Sequence, residues 1–233
     1  MKKHISLEKI AIKALEKKFV LTGQNIGEDA KMSKKGVTFE TKVYNINDIG
    51  QICTLKMKAL LGLLKMETIV LSVKGRDIPL FNMDWVSALG KETLICELYD
   101  VQLSTFSAEA QEKFDAIRRR DDDIPETEQD EYWYKDILYP CSYHKTGKKI
   151  TNRLNDASID YFKTIVNELS AAQECSSKVK YDRIRNFAET LFNNGGPAVD
   201  MVKELFGTEK AHRLIVGHMY GCYDSAHLLQ DDQ

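Results

Sequence analysis

The sequence predicts an α+β fold in which helices cover a largely antiparallel sheet. Three observations carry that prediction. Between residues 37 and 100, runs of apolar residues recur at every second position, as in half-buried strands. The connections between these runs are short, whereas parallel neighbours need crossovers of about a dozen residues or more. From residue 155 onward the spacing becomes that of amphipathic helices.

Taken in order, ISLEKIAIKALEKKF (5–19) places Ile5, Ile12, Leu15 and Phe19 at helical spacing among lysines and glutamates. A loop through Gly23, Gly27 and Lys34-Lys35-Gly36 follows. Strands are predicted at 37–43, where Val37, Phe39 and Val43 alternate with polar residues, and at 53–59, where Cys53, Leu55, Met57 and Ala59 do so. LLKMETIVLSV (63–73) turns apolar on both faces, as a central strand does. IPLFNMDWVSAL (78–89) and ETLICELYD (92–100) continue the meander across Gly90-Lys91.

Ser107 opens the helix SAEAQEKFDAIRRR, which ends at Arg118–Arg120. The acidic stretch 121–131 reads as a solvated loop. A last strand is expected around 137–144, with a turn at Gly147-Lys148-Lys149. Helices are predicted over 156–174, 178–193, 197–206 and 208–219. Pro197 suits a first helical turn, Gly207 the position after a helix end, and Thr208 the next N-cap. With no repeat and no long linker, residues 1–233 are expected to form a single domain.

Composition narrows the function. The 233 residues are 43% hydrophobic and 29% charged, with a net charge of −2, which fits a globular core and gives no basic surplus for nucleic acid. No apolar run reaches the roughly 18–20 residues that span a bilayer, and the N-terminus carries no signal-peptide pattern. A soluble cytoplasmic protein with no nucleic-acid and no membrane partner is therefore expected. Cys53, Cys96, Cys141, Cys175 and Cys222 form no Cys-x-x-Cys pair, and the five histidines are equally scattered. That pattern implies reduced buried thiols, surface imidazoles and no metal site.

Phosphate-binding, dinucleotide, nucleophile-elbow and zinc-protease motifs are absent. What stands out is Asp84, set between Leu80-Phe81-Met83 and Trp85-Val86 in a predicted strand. Burial in such surroundings disfavours the charged carboxylate and raises its pKa. A carboxyl that stays protonated near neutral pH is a proton donor. The alternative from pattern alone is a loop-capping or lysine-paired aspartate.

Three collinear stretches resemble the ferredoxin-dependent bilin reductases. They are CTLKMKALLGLLKMETIVLSVKGRDIPLFNMDWVSALGKETLICELYD (53–100), WYKDILYPCSYHK (133–145) and MVKELFGTEKAHRLIVGHMYGCYD (201–224). The resemblance implies one bilin-reductase-like domain, a three-layer α/β/α sandwich holding an open-chain tetrapyrrole between the sheet and the C-terminal helices. The implied reaction is reduction of biliverdin or a related bilin, with electrons delivered singly by reduced ferredoxin and no bound cofactor or metal. A monomer is implied. The other readings are reduction of a chlorophyll-derived tetrapyrrole, a non-catalytic tetrapyrrole-binding protein of the same fold, and an interaction module.

Within the resemblance Asp84 matches the catalytic aspartate of the family's Pro-Leu-Phe-x-x-Asp segment. Glu67 stands where some members carry a histidine beside it, so it is expected either to share a proton with Asp84 or to face solvent beside Lys65. Lys145, or His144 next to it, falls near an arginine that binds a propionate. Many members carry an Asn-Asp pair where this chain has Gly195-Gly196; Asn194 just before it is the expected substrate contact. Lysines at Lys31, Lys34, Lys35, Lys145, Lys148 and Lys149 are expected to form a basic patch for an acidic electron donor.

Overall fold

Short connections dictate antiparallel neighbours, and the sheet obeys them. A computed structural model describes residues 3–127 and 133–223. Residues 128–131 of the acidic stretch, His227 and the final Asp224 of the third resembling stretch lie outside the described residues. Strands β1 (Leu21–Gly23), β2 (Lys31–Lys34), β3 (Val37–Ile46), β4 (Gly50–Ala59), β5 (Leu64–Val73), β6 (Leu80–Ala88), β7 (Lys91–Tyr99) and β8 (Tyr143–Lys148) form one eight-stranded sheet. From β3 to β8 it is an antiparallel meander, while β1 and β2 both pair with β3. The β6–β7 turn is two residues long, with Leu89 (φ 51°) and Gly90 (φ 78°) both left-handed. That twist matches the strands it joins.

Side-chain alternation splits the sheet into two buried faces. Ile52, Ile69, Phe81, Met83, Leu94 and Cys96 pack against α1 (Leu7–Leu15), α2 (Ala108–Arg120) and α3 (Thr151–Ala171). Phe39, Val43, Cys53, Leu55 and Val70 face α4 (Ser177–Asn194), α5 (Pro197–Phe206), α6 (Thr208–His212) and a π-helical segment (Arg213–Met219). The architecture is α+β, a largely antiparallel sheet between two helical layers. No described helix is long and apolar enough to cross a membrane.

Several boundaries move. The last strand runs over Tyr143–Lys148 rather than 137–144, because Gly147 and Lys148 continue the ladder opposite Glu92 and Lys91 and the chain turns only at Lys149 (φ 61°). The helix expected at 156–174 is Thr151–Ala171, and the one expected at 208–219 passes from α into π geometry at Arg213. Asp121, in the stretch read as solvated, is buried; Arg153 donates to its carboxylate at 2.8 and 3.0 Å and Tyr143 Oη at 3.1 Å. His144 and His218 are buried rather than superficial. Cys53, Cys96, Cys141 and Cys222 are buried free thiols.

Candidate functional site

Strand register decides which polar side chains meet. On β6, Asp84 opposes Thr68 of β5 on one side and Ile95 of β7 on the other; Ile95 in turn opposes His144 of β8. Directly opposed residues share a face, so Thr68, Asp84 and His144 point the same way. One rung along, Asn82 opposes Glu97 on that face. These side chains look into a cavity of about 470 Å³ between the sheet and the layer of α4, α5 and the π-helical segment. Its walls are otherwise mostly apolar, from Phe39, Leu55, Met66 and Val86 below to Leu191, Val199, Val202 and Leu214 above. A concave apolar site with a few convergent polar groups has the form of a ligand pocket.

Burial pushes the Asp84 carboxyl up to about 7; the Thr68 hydroxyl, which donates to Asp84 Oδ1, offsets part of the rise, and the Glu97 charge adds to it. Asp84 is half-buried and lines the cavity. A carboxyl raised this far keeps its proton to higher pH than an ordinary aspartate and can give it up near neutrality. Glu97 is buried and accepts from Tyr99 Oη at 2.5 Å, while His144 Nε2 lies 3.1 Å from its other oxygen. Burial drives the Tyr99 and Tyr220 phenols far above their usual range, so both stay protonated in the cavity wall. Asn82 Oδ1 is buried without a hydrogen-bond partner.

Among the side chains expected from the sequence to act in the site, the structure places Asp84 and His144 in this cavity. Glu67 opposes Trp85, one position off the Thr68–Asp84 rung, and so points through the other face. There its Oε2 accepts from Ser6 Oγ and the Leu7 N–H, both at 2.8 Å, and its Oε1 lies 3.5 Å from His4 Nε2. Burial alone would raise its pKa, but these donors outweigh that and hold it below the ordinary carboxylate value. Glu67 neither shares a proton with Asp84 nor faces solvent beside Lys65; it anchors the start of α1.

Lys145 likewise occupies the far face, buried and 3.3 Å from Glu126. Asn194 is an exposed C-terminal residue of α4 outside the cavity wall, which Gly195 and Gly196 line instead. Lys135 is the one lysine or arginine among the described lining residues. The two lysine groups lie beside opposite edges of the sheet, on β2 and β8, with β3 to β7 between them.

Thr68, Asn82, Glu97 and Lys135 were missed by sequence reasoning. Glu97 alternates in step with Ile95 and Tyr99 in the run Ile95-Cys96-Glu97-Leu98-Tyr99, so its inward face was readable, but its proximity to Asp84 depends on the β6–β7 register. Among the described residues no three His, Cys, Asp or Glu side chains converge as metal ligands would.

No protein-family profile matches the chain, and no curated protein matches it. Among solved structures, the chain is similar to tomato phytochromobilin synthase crystallised in complex with biliverdin. The match has a TM-score of 0.73 at 10% identity, over 94% of this chain and 86% of that one. At this identity the likeness shows a shared fold.

Proposed function

We propose that this chain is a bilin reductase, binding a linear tetrapyrrole in the sheet-face cavity and reducing it with Asp84 as proton donor. The carrying observation is a carboxyl with a pKa of about 7 in the floor of a largely apolar cavity. A fold shared with a protein that was solved holding biliverdin and the resemblance around Pro79-Leu80-Phe81 support the same reading.

The residues divide the work by their chemistry. The apolar walls take the conjugated face of the tetrapyrrole and exclude water. Asn82 Oδ1, lacking any partner, accepts from a pyrrole or lactam N–H. Lys135, exposed at the cavity wall, meets a propionate. Reducing one double bond consumes two electrons and two protons. Single electrons come from a soluble carrier such as reduced ferredoxin, and Asp84 gives the first proton. Gly195 and Gly196 have none to give, so the second passes from His144 once its imidazole has taken a proton from solvent, with the Glu97 carboxylate at 3.1 Å holding the imidazolium.

Titration with biliverdin tests the reading. The expected result is a sharpened, red-shifted absorbance band that reduced ferredoxin bleaches, and that fails to form in a Val202→Trp variant whose cavity is filled. An unperturbed biliverdin spectrum with the folded wild-type chain would overturn it.

A further inference from the structure

At one end of the sheet the described surface departs from a soluble protein's mixed polarity. Thr38, Lys58, Lys65, Ser87, Glu92 and Gly147 form consecutive cross-strand partners along a single terminal rung. Around it stand seven exposed lysines: Lys34, Lys35, Lys58, Lys65, Lys91, Lys148 and Lys149. They spread from β2 to β8, roughly 29 Å at about 4.8 Å per strand. Acidic compensation there is slight. Glu92 is taken up by Thr151 Oγ1 at 2.5 Å, and Glu204 lies 3.6 Å from Lys35.

From the middle of this belt project Leu60, Leu61 and Leu63 of the β4–β5 loop and Leu89 of the β6–β7 turn, exposed by 67%, 105%, 61% and 82%. Leu64 opposes Ala88, so loop and turn leave neighbouring strands side by side. Half of the eight large exposed hydrophobics among the described residues stand here. Leu60, Leu61 and Leu89 also hold left-handed backbone, φ 51°, 54° and 51°. Glycine or asparagine takes that conformation with far less strain. The chain thus holds apolar side chains out into solvent at the expense of backbone strain.

We propose that this end is a peripheral membrane contact, with the four leucines entering the headgroup region of an anionic bilayer and the lysines engaging its phosphates. A chain without a spanning helix can still rest on a membrane. Charge complementarity selects the occupant: a belt of like charge spread over this width fits a plane of anionic headgroups. The convex leucine tips fit deformable lipid, whereas a rigid acidic protein would need a separate pocket for each.

The test is co-sedimentation of the full chain with phosphatidylcholine vesicles, with and without phosphatidylserine. Wild type is expected to bind only the serine-containing vesicles and to be released by salt. Lys58→Gln with Lys65→Gln should weaken binding by about 25-fold, near fivefold per lysine. Leu61→Asn with Leu89→Asn should weaken it at least tenfold, while circular dichroism and thermal unfolding show the fold retained, since asparagine tolerates these backbones. No binding of wild type to serine-containing vesicles would overturn the proposal. So would unchanged binding by the leucine variant, or capture of an acidic protein by these lysines without vesicle binding. None of these outcomes depends on the tetrapyrrole.

Discussion

Asp84 holds a proton in the folded chain that the unfolded chain releases at far lower pH. A carboxyl with a folded pKa near 7 against about 3.9 unfolded carries a penalty that is absent below the unfolded value, grows between the two and is complete above pH 7. Asp84→Asn should therefore leave stability unchanged at about pH 3 and raise it toward pH 8, by up to about 4 kcal/mol. Denaturant melts across that range would show the divergence; parallel curves would place the Asp84 pKa in the ordinary range. Glu67 has the opposite sign. Its lowered pKa contributes stability that is present above the unfolded value of about 4.3 and is lost as pH falls through the folded one. Glu67→Gln should cost about 1–2 kcal/mol at pH 7, little at pH 2, and leave a bound-bilin spectrum unchanged. A spectral shift would mean that Glu67 reaches the cavity after all. The apolar neighbours of Asp84 made it legible in the sequence. Its partners were not, because Glu67 and Thr68 are adjacent in the chain, and a shift of one position decides which face of β5 a side chain joins.

Strands and turns were legible to different degrees. Alternation of apolar residues gave β3 to β7 and their antiparallel order, and Gly90 marked the β6–β7 turn, whereas β1 and β2 lie in the stretch expected to be a loop. Leu89 beside it could not be read as left-handed, since leucine rarely takes that backbone. Replacing Leu89 by asparagine should stabilise the fold by about 1 kcal/mol, measurable as a higher urea midpoint with an unchanged slope; a lower midpoint would mean that Leu89 packs rather than projects. Gly50 is the converse case. It sits where β4 passes β5, and a Cβ there would lie 2.5 Å from the Ser72 carbonyl oxygen and 2.7 Å from Val73 Cα. Gly50→Ala should cost about 1–3 kcal/mol as the strands are forced apart, and an unaltered midpoint would contradict the β4–β5 register. The π-helical turn at Arg213 had no sequence signal, yet it delivers Leu214, Ile215 and Met219 to the cavity wall.

Two layers of helices bury both faces of the sheet, but they treat its polar residues differently. Behind α1 and α3, Glu67 is met by fixed donors from the N-terminal segment. Beneath α4 and α5, space is left over Asp84, Asn82, Glu97 and His144, and this asymmetry leaves one face packed and gives the other its cavity. The layered α+β architecture was legible from the order of periodicities, while the side of the sheet bearing the cavity followed only from register. Single-turnover reduction of bound biliverdin at pH 7, compared between wild type and Asp84→Asn, tests the central claim most directly. The expected result is equal bilin binding in both, with reduction in the variant slowed by about 10²–10⁴-fold and a one-electron-reduced bilin accumulating in its absorbance. Wild-type rates in a variant that binds biliverdin normally would contradict the assignment of Asp84 as the proton donor.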